Sequence, residues 1–267
     1  VVLGNNDIET GGPTYQRYAD DLEGVVLGGN VVFDDDGTPF LPPFTIVERG
    51  GMRIALMGLT TPAMPHWIPK CQWPELEFEN MKSAARRWMQ YLHETVEPDM
   101  VIGLFHSGYE GGIVTDEYAE NATLEVARKV PGFDAIFYGH DHKARHSEVV
   151  NIEGDTVILL NPGKEAHQVA TLDIRLDKNG KRTLNAALVD MDNYTPDEEY
   201  MRTFTPQRER VERYLNRVMG TSAQEADARE ALFGPWTSYT RCNWRYRGPR
   251  FPSRHRSWMT IRCPRVG

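Results

Sequence analysis

The sequence predicts an α/β fold in which two sheets pack face to face with helices outside, and three observations predict it. Strand-like runs alternate with helical patterns through the first half, a series of short strands joined by hairpin turns fills the second, and three short polar motifs each follow directly on a buried-strand run. The runs are Val1-Val2-Leu3, Met100 to Phe105 and Phe133 to Tyr138. The motifs are Gly4-Asn5-Asn6-Asp7, His106-Ser107-Gly108 and Gly139-His140-Asp141-His142. In α/β sheets ligands collect outside the carboxyl ends of strands, so the motifs stand where a site would form.

After the turn at Gly11-Gly12-Pro13, Thr14 to Leu22 has helical character and Gly24 to Phe33 returns to apolar, β-branched composition. Phe44 to Glu48 and Met52 to Leu59, separated by Arg49-Gly50-Gly51, read as a hairpin feeding a buried strand. The Pro-rich stretch Thr60 to Pro74 is expected to be a loop without regular structure. Met81, Ala84, Ala85, Trp88 and Leu92 recur at helical spacing within a helix predicted over Leu76 to Val96, ended by Pro98. That periodicity assigns Met81 and Trp88 to a helix core. Ala122 to Lys129 is a second amphipathic helix.

From Ser147 the pattern changes to short strands, Glu148 to Ile152, Thr156 to Leu160, Gln168 to Leu176 and Leu184 to Asp190. Glu153-Gly154-Asp155 and Lys178-Asn179-Gly180-Lys181 supply hairpin turns. Pro206 to Met219 is charged and amphipathic, with Val211, Leu215 and Val218 on one face, and reads as a linker helix leaving the domain.

At 267 residues and 40% hydrophobic composition the chain can bury a substantial core. The net charge of −8 opposes nonspecific nucleic-acid binding, yet it is unevenly spread: Trp236 to Gly267 hold eight Arg and no acidic residue, so all 38 Asp and Glu lie upstream. Cys71, Cys242 and Cys263 are too few for a disulfide scaffold and match no zinc-ribbon spacing. No apolar stretch reaches membrane-spanning length and no signal-peptide pattern opens the chain. The first residue falls inside an apolar run with no initiator Met, which reads as a cut strand.

Hydrolysis of a phosphate ester needs a nucleophile at neutral pH and neutralisation of charge on the phosphoryl oxygens, and paired divalent ions supply both. His106, His140 and His142 are the candidate imidazole ligands, because a pair in Gly-His-Asp-His and a third in His-Ser-Gly all follow strands. His66, His93, His146, His167 and His255 lack that context and read as loop or surface residues. The absence of His-Glu-x-x-His disfavours a metallopeptidase.

With the order Gly-Asn-x-Asp, His-Ser-Gly, Gly-His-x-His, together with Gly58-Leu59-Thr60-Thr61-Pro62 and Tyr214 to Gly220, the chain resembles the calcineurin-like metallophosphoesterases. Within them it resembles the bacterial 5′-nucleotidase and 2′,3′-cyclic-nucleotide phosphodiesterase family, over residues 1 to about 235. The resemblance implies a four-layer α/β/β/α sandwich, here missing its first strands, because the family's Asp-x-His and bridging Asp lie upstream of Gly-Asn-x-Asp. It also implies two divalent ions, with Asn5, His106 and His140 on the second and His142 on the first. Nitrogen and oxygen ligands of this kind accept Zn, Mn, Fe or Co. The implied substrate is a nucleotide or other phosphoester, and the implied location is the periplasm or cell surface.

Where the family motif reads Gly-Asn-His-Asp this chain has Asn6, and Glu9 is the carboxylate expected to orient it. By the resemblance these two are the candidate catalytic residues. An amide donates a hydrogen bond but carries no proton into the reaction, so weak activity is expected and a phosphate- or nucleotide-binding pseudoenzyme is the alternative. Residues 1–203 are then the catalytic domain and 204–235 a linker helix toward a further domain. The tail 236–267 reads as an out-of-frame translation: one permitted codon choice in the shifted frame gives a helix, a turn and a strand resembling the family's segment after Phe-Gly-Pro, and the tail is expected to be disordered. A nucleic-acid arm built of Arg and Trp is the competing reading of that tail.

Overall fold

The computed structural model describes residues 1–218. The expectations for residues 219–267, the shifted-frame tail and the nucleic-acid arm among them, lie outside the described residues. The chain divides into a unit of Val1–Thr195 and a second of Pro196–Gly267.

In chain order the first unit contains α1 (Asn5–Glu9), α2 (Gly12–Asp21), β1 (Val31–Phe33), β2 (Phe44–Arg49), β3 (Met52–Thr60), α3 (Met64–Trp67), β4 (Leu76–Phe78) and α4 (Met81–Tyr91). There follow β5 (Met100–His106), β6 (Gly111–Val114), β7 (Ala119–Asn121), α5 (Thr123–Lys129), β8 (Ala135–Tyr138), β9 (Arg145–Val150), β10 (Thr156–Asn161), β11 (Gln168–Leu176) and β12 (Arg182–Asp190). The central sheet has the order β2-β3-β5-β8-β10-β9. Its four inner strands are parallel, and the edge strands β2 and β9 are antiparallel to their neighbours.

Side-chain alternation divides the sheet's two faces. Ala55, Met57 and Leu59 of β3, Val101 and Phe105 of β5, and Val157 and Leu159 of β10 point one way, into a core with Met81, Ala84, Ala85 and Met89 of α4 and Val126 and Ala127 of α5. The intervening residues Met52, Ile54, Met100, Ile102, Ile158 and Leu160 point the other way, onto Leu172 and Leu184 of the two-stranded ribbon β11-β12. Helices, sheet and ribbon thus form α, β and β layers, and the inner strands read as unbroken apolar runs because both their faces are covered. A second core gathers Leu3, Ile8 and Tyr15 with Val31, Met64, Leu76 and Phe78.

Several local expectations are corrected. Val1 to Leu3 forms a single parallel bridge, Val2 to Leu27, rather than a strand. The Pro-rich stretch carries α3 and a 3-10 turn at Lys70–Gln72, since Pro65 falls in the first turn of α3, where its missing N–H costs nothing. The helix expected from Leu76 begins only at Met81. Leu76 and Phe78 alternate inward as β4 against β1, and Asn80 caps α4 by accepting the Ser83 amide. The hairpin β6-β7 had no counterpart in the sequence pattern.

In the second unit, α6 (Glu198–Leu215) starts earlier than the expected linker helix, capped by Asp197, and carries Pro206 within it. Among the described residues no helix is long and apolar enough to cross a membrane.

Candidate functional site

Two of the histidine motifs leave the same edge of the sheet because the strands before them are parallel and in register: Thr60 pairs with His106, and Phe105 with Tyr138. The Gly4 motif joins them through α1, whose first residue is Asn5. His106 Nε2 lies 2.8 Å from Asn5 Oδ1. Gly4 makes this approach possible, since a Cβ there would stand 2.6 Å from the His106 ring.

The His106 and His140 ring centroids are 5.0 Å apart, and the half-exposed Trp67 has its ring 5.5 Å from that of His140. Burial, with lesser contributions from His140 and His142, pushes the His106 imidazole down to about 4. The ring is therefore neutral at physiological pH, the form in which imidazole offers a lone pair.

His140 and His142 both occupy the left-handed backbone region, at φ 79° and 58°. Asymmetric carbons enter it at a cost of about 1–2 kcal/mol per residue, and surroundings must enforce it. Asp141 supplies the enforcement from between them. Its Oδ2 accepts the Tyr109 amide at 2.9 Å, and its Oδ1 accepts Asn161 Nδ2 at 2.7 Å and the Lys143 amide at 3.2 Å.

Of the residues predicted from sequence, the structure brings Asn5, His106 and His140 together. His142 is exposed, close enough to act electrostatically on His106. Asn6 and Glu9 are also exposed, and among the described residues no hydrogen bond joins them. The carboxylate that this turn uses is Asp7, whose Oδ2 accepts the Gly4 amide at 2.8 Å, while Asn6 Oδ1 meets Asn5 Nδ2 at 3.4 Å.

Sequence reasoning missed Glu120, whose Oε1 lies 2.9 Å from His140 Nε2, and Asn161. Asn161 ends a buried parallel strand, so the positional rule that found the histidines also reaches it. Glu120 carries no such signal, because it arrives from the unforeseen hairpin.

The donors present fit one divalent ion. Two neutral-capable imidazoles and an amide oxygen form an N/O set suited to borderline metals. Among the described residues no group of three or more His, Cys, Asp or Glu is arranged to hold a metal, so the Asn5 amide is needed to complete the set.

No family model matches the chain. It is 27% identical over 177 residues to a 5′-nucleotidase of Vibrio cholerae, covering 62% of this chain and 30% of that protein. It is 24% identical over 152 residues to a 2′,3′-cyclic-nucleotide 2′-phosphodiesterase/3′-nucleotidase of Yersinia enterocolitica, covering 52% and 22%. Among solved structures, the calcineurin-like phosphoesterase YfkN of Bacillus subtilis superposes with a TM-score of 0.68 at 20% identity, over 81% of this chain and 71% of that one. A 5′-nucleotidase precursor of Thermus thermophilus superposes at 0.68 and 19%, over 82% and 44%. The matches span 30% or less of the curated relatives' length.

Proposed function

We propose that the chain is a calcineurin-like metallophosphoesterase of the 5′-nucleotidase type, the catalytic part of a metal-dependent phosphoester hydrolase acting on nucleotides. The observation that carries the reading is the meeting of Asn5 Oδ1 and His106 Nε2 at 2.8 Å beside the His140 ring, at the carboxyl edge of a parallel sheet. Asn5, His106 and His140 would hold one ion and His142 would contribute to a second. Divalent ions so held lower the pKa of water and neutralise charge on phosphoryl oxygens.

The chain's own residues set the limits of the chemistry. Burial keeps His106 neutral and available as a donor. The Trp67 ring lies beside His140, with centroids 5.5 Å apart. Asn6 is exposed beside Asn5 and can donate a hydrogen bond to a substrate oxygen, but it moves no proton. General acid–base help is typically worth about 10²–10⁴-fold in rate, so slow turnover follows from that position. Residues 1–203 as catalytic domain, 204–235 as linker, and a periplasmic or cell-surface location belong to the same reading, on the strength of the resemblance.

A second reading, a nucleotide-binding protein without turnover, is favoured by one observation: the group around His106 needs an amide to reach three donors. Calorimetric titration of the purified chain with Mn²⁺ or Co²⁺, followed by assays on 5′-AMP and 2′,3′-cyclic AMP, tests both. Metal-dependent release of phosphate or opening of the cyclic ester, lost in His106→Ala, supports the hydrolase. Nucleotide binding with no product favours the second reading, and absence of metal binding overturns the first.

A further inference from the structure

We infer that Glu120 is a positioning residue for His140, its carboxylate holding the His140 Nε2–H so that the Nδ1 lone pair is the one presented to a divalent ion; this rests on the metal-binding reading of the site. Glu120 Oε1 stands 2.9 Å from His140 Nε2, with the two side chains 16% and 12% exposed. An ionised carboxylate only accepts hydrogen bonds, so the ring nitrogen facing it carries the proton. In a neutral imidazole the other nitrogen is then bare.

Glu120 is itself fixed from three directions. Its Oε2 accepts the Ile113 amide at 2.7 Å across the β6-β7 hairpin. Its backbone carbonyl accepts Ser107 Oγ and Thr61 Oγ1, each at 2.9 Å, from the loops that follow β5 and β3. The next residue, Asn121, accepts the Gly108 amide through Oδ1 at 2.9 Å. Gly112, at φ 74°, leaves open the point where a Cβ would strike the Glu120 carboxylate. The hairpin therefore ties the His-Ser-Gly loop to the Gly-His-Asp-His loop and brings one carboxylate to one ring nitrogen.

A carboxylate behind a ligating histidine fixes its tautomer and ring orientation, and its removal typically costs about 10–100-fold in metal affinity. The test uses the full-length chain, wild type and with Glu120→Ala, Glu120→Gln and Glu120→Asp. Long-range ¹⁵N–¹H correlation spectra of the metal-free protein read which His140 nitrogen bears the proton, and calorimetry with Co²⁺ reads affinity. Wild type should show Nε2–H. Glu120→Ala, and Glu120→Asp with its shorter reach, should mix the tautomers and weaken Co²⁺ binding about 10–100-fold. Glu120→Gln has one oxygen for the two N–H groups that the carboxylate accepts, His140 Nε2–H and the Ile113 amide, so it too should lose part of the Nε2–H preference and part of the affinity.

Should Glu120→Ala fail to fold, Glu120→Asp and Glu120→Gln carry the comparison. A folded Glu120→Ala or Glu120→Asp with the wild-type tautomer overturns the inference, even where Co²⁺ binds normally and the metal reading stands. A tautomer that depends on Glu120 in a wild type that binds no Co²⁺ upholds the positioning of His140 and removes the metal reading instead.

Discussion

Asn30 clasps the backbone of Thr60 from both sides: its Oδ1 accepts the Thr60 amide at 2.8 Å and its Nδ2 donates to the Thr60 carbonyl at 2.8 Å. Nδ2 also donates to the Glu79 carbonyl at 3.0 Å, and the residue is fully buried. This one amide joins the end of β3, which pairs with His106, to the segment leading into α4. Each buried backbone group left unpaired costs about 1–3 kcal/mol, so Asn30→Ala should destabilise the chain by roughly 3 kcal/mol or more. Urea denaturation checks it, and a loss below about 1 kcal/mol would contradict the role given to Asn30.

Gly4→Ala separates stability from site geometry. The added methyl would meet the His106 ring at 2.6 Å, and the ring is the movable partner. Because Gly4 has ordinary extended backbone, at φ −103°, alanine brings no conformational strain. The substitution should therefore displace His106 from Asn5, with a larger effect on Mn²⁺ or Co²⁺ affinity than on the denaturation midpoint. Equal metal affinity in the variant would show that the ring has another place to go.

The parallel core was legible because its strands are apolar on both faces and its helices repeat at 3.6 residues, signals that survive without knowledge of neighbours. The histidine motifs were legible for a related reason: position after a strand implies position at the sheet edge. What escaped was structure defined by partners. β4 is a three-residue strand that exists because β1 pairs with it, and the β6-β7 hairpin contains Gly111 and Gly112 where strand propensity is lowest. Glu120 was lost with that hairpin. Asn6 and Glu9 both face solvent, and the carboxylate that closes this turn is Asp7, on the Gly4 amide.

The half-buried imidazole of His106 gives the metal-free protein an acid-sensitive step. Its ordinary value near 6.5 in the unfolded chain falls to about 4 in the fold, through burial first and its neighbouring histidines second. Between these values the unfolded state binds more protons, so stability falls as pH drops from about 6.5 toward about 4 and is insensitive to this group above that window. The loss at the acid end is on the order of 3 kcal/mol. Denaturation from pH 8 to pH 5 in chelator, wild type against His106→Gln, should show the slope shrinking in the variant. A directly observed His106 titration near the ordinary value would refute it.

Asp141 and His142 should respond to substitution with opposite signs. Asp141 accepts from Tyr109, Lys143 and Asn161, and these bonds hold the loop in which the residues on either side have left-handed backbones. Hydrogen bonds to charged groups contribute about 1.5–3 kcal/mol, so Asp141→Ala should lower stability by roughly 2–4 kcal/mol and weaken metal binding as the loop relaxes. His142 is exposed and buries little, while its φ of 58° suits glycine. His142→Gly should therefore raise stability, by about 1 kcal/mol, while removing a candidate ligand. Denaturation and calorimetry on the two variants decide whether strain at this loop is held for function: a stabilised His142→Gly that also loses metal-dependent turnover fits that account, and a destabilised one would place the histidine among the residues that hold the fold.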